Sequence, residues 1–260
     1  MGSQAIQGKL WGQRPKYWAT IQERTALNCY EYVLGRLKLN PGTSLLDVGC
    51  GSGLFSDLAF SKGAKVTGLD ASERLLEQAR ERNPSITFLV GEMEELPFDS
   101  NTFDVVCGFN SFQYAANVKN ALSDAQRVLK DKGKLVAMIW GNKEDCEAAT
   151  FLKAVGSLLP PPPPGAPGPF ALSENKLLEI TLQDIGFKII DGVDLPSDWD
   201  YPNKETALMG LMASGPVARA IENSGIDKVT KTISDAIDSY VQPNGHVVYR
   251  NKFRIVTAEK

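Results

Sequence analysis

Three glycines spaced two apart, Gly49, Gly51 and Gly53, follow the apolar run Leu45-Leu46-Asp47-Val48 and precede a helical pattern that begins at Leu54. A G-x-G-x-G turn between a strand and a helix suits close approach of backbone to a ligand, because glycine has no Cβ to collide. The helix that follows offers unpaired amides and a partial positive charge. Ligands of open α/β sheets bind at such places, outside the carboxyl ends of the strands. Two acids frame the turn. Asp47 stands two residues before Gly49, where it can meet a cationic group such as an α-ammonium and would repel a pyrophosphate. A dinucleotide turn would also want glycine where Leu54 stands. Together these features argue against a nicotinamide cofactor. Asp70 lies 21 residues after Gly49, at the end of VTGLD. An acid at that spacing accepts hydrogen bonds from both hydroxyls of a ribose; the alternative is a surface acid capping the next helix.

Other chemistry-bearing residues are sparse. His246, the single histidine, sits in the turn PNGHVV. It reads either as an exposed turn residue or as a general base, the latter from its useful pKa alone. The four cysteines (Cys29, Cys50, Cys107, Cys146) form no C-x-x-C pair, which suits neither zinc nor a disulfide framework. Cys50 and Cys107 read as small buried hydrophobes. No metal site is expected, and a reducing cytoplasm is the expected setting.

These residues need strands and helices to hold them. Residues 16–37 carry Ala26, Tyr30, Val33 and Leu37 at helical spacing. Strand patterns follow at TSLLDVG, Lys65 to Leu69, Ile86 to Val90, Phe103 to Phe109 and Lys134 to Trp140. Helical patterns alternate with them at Leu54 to Ser61, Ser72 to Arg82 and Val118 to Leu129, with Ser72 a plausible N-cap. Such alternation predicts a doubly wound α/β fold: a parallel sheet with helices on both faces. The second half changes character. Residues 160–169 hold seven prolines and two glycines, a stiff extended connection. A helix at Ser173 to Ile185, a strand at Phe187 to Leu195, two or three helices within 203–240, and a final strand at Val247 to Ala258 complete the chain.

Composition narrows the function classes. The 260 residues are 43% hydrophobic and 23% charged, ordinary for a globular chain with a sizeable core. Lys plus Arg is 28 against 31 acids, a net charge of −3, so a nucleic-acid partner is not expected. No apolar run is long enough to span a membrane. MGSQAIQGKL has no apolar core of a secretory signal.

DVGCGSG, then LDAS, GEMEELPF, FDVV and RVLKDKGKLV, in that order over residues 40–141, resemble the class I S-adenosylmethionine-dependent methyltransferases. More narrowly, they resemble the small-molecule branch with the ubiquinone-pathway type of domain (methyltransferase type 11). The resemblance implies a Rossmann-like seven-stranded sheet whose last strand runs antiparallel. It implies a single methyltransferase domain over 1–260: an N-terminal helical segment (1–40), a cofactor core (41–141), the proline-rich connection and a helical insertion (203–240). The N-terminal segment and the insertion would form a lid.

It also implies S-adenosylmethionine as cofactor, and in-line methyl transfer to a small-molecule acceptor. A protein or nucleic-acid methyltransferase, or a cofactor-binding module without activity, is the alternative. The cofactor-binding positions carried over are Asp47, Gly49, Gly51, Gly53, Asp70, Ala71, Glu92, Met93, Asn110 and Gln113. Glu92 and Met93 would hold adenine; Asn110 would lie near the methionine part. Gln113 stands where relatives often carry His, and reads equally as an exposed helix-start residue. Asn110-Ser111-Phe112-Gln113 lacks the Asn-Pro-Pro-Tyr pattern of base-amino methylation. Trp18, with Tyr17, Tyr114 and Tyr249, could cage a sulfonium or hold a flat substrate; Trp18 could equally pack its helix. Leu208, Leu211 and Met212 either line a pocket or pack the insertion. No obligatory base is required unless the acceptor must lose a proton, so the catalytic candidates are only His246 and Tyr17.

Overall fold

A computed structural model describes residues 2–161 and 168–260. The centre of the proline-rich connection therefore lies outside the described residues. The chain opens with α1 (Gln4–Trp11) and a short α2 (Pro15–Tyr17). A π-helical turn (Trp18–Gln22), a 3-10 segment (Glu23–Ala26) and α3 (Leu27–Leu37) follow. The core then alternates: β1 (Ser44–Val48), α4 (Leu54–Ser61), β2 (Lys65–Asp70), α5 (Glu73–Arg82), β3 (Thr87–Val90), β4 (Phe103–Phe109), α6 (Val118–Val128) and β5 (Leu129–Trp140). After it come α7 (Ala149–Gly156), α8 (Leu177–Asp184), β6 (Lys188–Pro196) and β7 (Trp199–Tyr201). The insertion helices α9 (Lys204–Leu211), α10 (Gly215–Ser224) and α11 (Ile226–Ile237) precede β8 (Val247–Tyr249) and β9 (Lys252–Glu259).

The main sheet has seven strands in the order β3-β2-β1-β4-β5-β9-β6. β1 to β5 pair in parallel, and β9 runs antiparallel to both β5 and β6. The expected fold is thus observed. Strand order reverses at β1, with β2 on one side and β4 on the other, which opens a crevice at their carboxyl ends. β1 is buried along nearly all its length because both its faces are covered. Leu45 packs with the core under α3 and α4, whereas Leu46 and Val48 pack with α6 on the other face. Caps fix the helix starts: the side chains of Ser72, Asn117 and Asn203 accept amides of α5, α6 and α9.

Three elements differ from expectation. Residues 16–37 are not one helix: the π-helical and 3-10 turns unwind its first half, so that Trp18, Gln22, Glu23, Thr25 and Ala26 all face one cavity. A regular helix would keep Trp18, Gln22, Thr25 and Ala26 on one stripe but turn Glu23 away from Trp18. α1 carried no recognisable pattern because Gly8 interrupts it, and Gly8 is needed there: a Cβ would stand 2.2 Å from the Ala71 carbonyl oxygen. The last strand is two. β8 pairs antiparallel with β7 in a small two-stranded sheet that brackets the insertion helices, and the chain then enters the main sheet as β9. Buried Asn251 makes the switch, its side chain accepting the Ala148 amide at 3.0 Å.

Candidate functional site

The glycine turn adopts left-handed backbone at all three positions, with φ of +72° at Gly49, +57° at Gly51 and +75° at Gly53. Its amides are tied to β2: Gly49 donates to the Leu69 carbonyl at 2.7 Å, and Gly51 to Asp70 Oδ2 at 2.9 Å. A Cβ on Gly49 would lie 2.3 Å from that of Ser111, and one on Gly51 would lie 3.0 Å from Trp18 Nε1. Gly53 has a different role. It faces Ala79 and Phe88 beneath the turn and does not line the cavity.

Above the turn is a partly enclosed cavity with about 1100 Å³ of empty space, mouth included. Gly49, Gly51, Asp70, Ala71, Met93, Asn110, Gln113 and Trp18 all line it. Asp70 is buried, its second oxygen accepting the Ser72 amide at 2.8 Å. Burial raises its pKa, and the amides of Ser72 and Gly51 oppose the rise. Asn110 holds φ of +51° at the end of β4. Among the described residues, four buried polar atoms on the lining have no partner: Trp18 Nε1, Asn110 Oδ1, Ser111 Oγ and Gln113 Oε1. Buried polar atoms are ordinarily paired, so this convergence is what a polar ligand would satisfy.

Besides Gly53, four expected residues stand elsewhere. Asp47 shares the Leu45 face of β1, because side chains alternate along a strand. Its carboxylate therefore enters the core and accepts Ser56 Oγ–H at 2.6 Å. Burial, opposed by that bond and reinforced by the carboxylates of Glu23 and Asp70, lifts its pKa to about 7. Glu92 turns toward the N-terminus, accepting the Gln4 amide at 2.8 Å, where the free N–H groups of α1 attract an acid. It thereby closes α1 over Ala71 and leaves Met93 alone of the pair on the cavity. Tyr17 is 42% exposed and does not line the cavity. His246 is half-buried in the turn before β8 and pairs through Nδ1 with Asp200 of β7 at 2.7 Å, off the cavity lining. Of the other aromatics considered, Tyr114 lines the cavity and Tyr249 does not; Leu211 lines it, whereas Leu208 and Met212 pack in the core.

Glu23 was not anticipated. It is 4% exposed, and accepts Ser52 Oγ–H at 2.7 Å, Arg82 Nη1–H at 2.8 Å and the Leu54 amide at 3.2 Å. Burial raises its pKa, and Arg82 is the chief opposing charge. Arg82 also donates to the carbonyls of Ser52 and Ala19. This clamp fastens the N-terminal segment to the glycine turn and brings Trp18 over Gly51. A signal existed: Glu23 lies on the same helical stripe as Ala26, Tyr30 and Val33, so a charge stood in an apolar row. The opposite end of the cavity, lined by Trp140, Trp199 and Phe253, was also missed. Those residues meet only through tertiary contact.

Residues 46–137 match the family described as "Methyltransferase domain". The chain is 32% identical over 106 residues to the malonyl-[acyl-carrier protein] O-methyltransferase of Serratia marcescens, covering 41% of this chain and 42% of that protein. It is 38% identical over 96 residues to the demethylmenaquinone methyltransferase of Renibacterium salmoninarum, covering 37% and 40%. The chain thus spans less than half the length of these relatives. The YcgJ protein of Bacillus subtilis superposes with a TM-score of 0.58 at 18% identity, over 89% of this chain and 97% of that one, a likeness of fold. Residues 46–137 thus match a methyltransferase domain, and the seven-stranded sheet with its glycine turn at the switch point has the Rossmann-like fold of the S-adenosylmethionine-dependent methyltransferases.

Proposed function

We propose that the protein transfers a methyl group from S-adenosylmethionine to a small-molecule acceptor. The observation that carries this reading is the convergence of four unpartnered buried polar atoms on the cavity above Gly49 and Gly51, beside Asp70. The residues present fit the cofactor. Asp70 would accept the ribose hydroxyls, Ala71 and Met93 would flank the adenine, and Asn110 and Trp18 Nε1 would meet the methionine end. Asp47 would act at a distance, as a buried charge under the turn rather than as a ligand.

When bound, S-adenosylmethionine supplies a methyl carbon on a cationic sulfur; the acceptor's lone pair forms the new bond and the sulfur keeps the pair of the broken one. The chain's contribution is to orient and to exclude water, which can supply much of the rate. The aromatic lining does the second. α1, held down by Glu92 and by Trp11 against Gly215, roofs the cofactor end, and α9 and α10 roof the rest. We read the segment 1–40 and the insertion 203–240 as this lid, within one domain. An enclosed cavity favours a small acceptor over a polymer. Among the described residues no helix is long and apolar enough to cross a membrane. The four cysteines are buried free thiols, which supports a cytoplasmic setting.

Calorimetric titration with S-adenosylmethionine, S-adenosylhomocysteine and NAD tests the reading. Micromolar binding of the first two with NAD silent is expected. Binding of NAD alone would overturn it.

A further inference from the structure

The cavity has two chemically different ends, set out along the strand order. Gly49 follows β1, Asp70 ends β2 and Asn110 follows β4, so the polar end lies over β2, β1 and β4. Trp140 is the last residue of β5, and Phe253 pairs with it across β9. The second end therefore lies over β5 and β9. Trp140 stacks on Phe253 with centroids 4.9 Å apart and planes 28° apart, and Trp199 leans on Trp140 at 5.4 Å. Leu152 of α7 and Leu211 of α9 also line the cavity.

Charge is distributed just as unevenly. The cavity lining includes Glu23 and Asp70, and among the described residues it includes no Lys, Arg or His. Two hydroxyls of the lining are committed: Thr25 Oγ1 donates to the Gln22 carbonyl at 2.7 Å, and Ser214 Oγ to the Leu211 carbonyl at 3.0 Å. A carboxylate buried at this end would find no protein cation on the lining, and a buried charge without an opposite charge is costly. A flat apolar molecule would find stacked faces at the spacing that aromatic pairs prefer.

We propose that the β5–β9 end is an acceptor subsite for an uncharged, flat, largely apolar small molecule, and that it discriminates against carboxylate acceptors. This rests on the placement of S-adenosylmethionine over the glycine turn. The relatives are named for acceptors as different as malonyl-[acyl-carrier protein] and demethylmenaquinone, so the lining of this cavity decides between such classes.

2-Naphthol and 2-naphthoate share a ring system and differ in charge at pH 7. Each is titrated calorimetrically into the full chain saturated with S-adenosylhomocysteine. The expected result is at least about tenfold tighter binding of 2-naphthol, from the cost of burying an unpaired charge. Trp199→Leu should weaken 2-naphthol about tenfold or more while leaving S-adenosylhomocysteine affinity within about twofold, as stacking loss is confined to one end. Leu152→Arg, at a half-buried position on the cavity lining, should shift the preference toward 2-naphthoate. Equal or tighter binding of 2-naphthoate by the unaltered protein would overturn the proposal, as would an unchanged preference in Leu152→Arg, or failure of both probes on the S-adenosylhomocysteine complex. Failure of S-adenosylhomocysteine itself would instead overturn the cofactor reading, and the acceptor class with it.

Discussion

Arg82→Met should destabilise the protein more at pH 8 than at pH 5, through Glu23. The Glu23 carboxylate is almost fully buried and takes three donors, of which Arg82 alone carries charge. Removing one partner of a buried pair leaves the other charge uncompensated, at about 3–5 kcal/mol. The pH dependence follows from the direction of the Glu23 shift, which burial already drives upward against Arg82. An acid with a raised folded pKa binds its proton more tightly when folded, so its contribution to stability falls as pH rises past the unfolded value. Without Arg82 the folded pKa rises further, so the loss is largest at pH 8 and shrinks at pH 5, where the folded state takes up the proton.

Glu23→Gln keeps the Ser52 and Leu54 bonds and loses the charge, at about 1.5–3 kcal/mol, the scale of one hydrogen bond to a charged group. The double variant should then cost less than the sum of the two singles. Urea denaturation of all four proteins at both pH values measures this. If Arg82→Met costs under about 1 kcal/mol, or the same at both pH values, Glu23 does not hold a buried charge against Arg82 and the clamp is not what fastens the N-terminal segment.

Three further outcomes follow from the site. Asp70→Ala should weaken S-adenosylmethionine by about 1.5–3 kcal/mol, the scale for charge-assisted hydrogen bonds; unchanged calorimetric affinity in a folded variant refutes the ribose assignment. His246→Gln should leave kcat and its pH profile unaltered, since the imidazole pairs with Asp200 outside the cavity; a lost limb of the profile would restore it as the base. Asp47→Asn should flatten the stability profile of the ligand-free protein. Its folded pKa of about 7 makes Asp47 increasingly unfavourable as pH rises from about 4 to about 7, a cost of up to about 4 kcal/mol that asparagine lacks while still accepting Ser56. A variant as pH-sensitive as the parent over that range counts against the buried carboxylate.

The sheet was legible because its signals are local. Each parallel strand is a short apolar run with a helix after it, and crossover connection forces the winding. The same logic placed Gly49, Gly51 and Asp70 in one crevice, and the family resemblance added Met93 and Asn110; all line the cavity at or just beyond carboxyl ends of neighbouring strands. Asp47 could have been placed from period two alone: it shares the Leu45 face, which α4 covers. Glu92 could not, because its partner is an amide 88 residues earlier in the chain. His246 drew notice for its pKa, a property that says nothing about which cavity a side chain reaches.

The aromatic end was illegible for a different reason. Trp140 and Phe253 lie in separate strand patterns and Trp199 in none, and their meeting depends on the sheet switch at Asn251 and on β9 entering beside β5. All four tryptophans of the chain nevertheless line this one cavity: Trp11 and Trp18 from the N-terminal segment, Trp140 and Trp199 from the sheet side. Core packing alone would have no reason to gather them there. The π-helical turn that carries Trp18 gives up regular hydrogen bonding, and such turns recur at functional sites. The irregularity lets a segment with helical periodicity present Trp18, Gln22 and Glu23 to the cavity, with Glu23 bound to the glycine turn. The clamp therefore ties the proposed lid to the glycine turn, and loosening Glu23 should lower calorimetric S-adenosylhomocysteine affinity as well as stability.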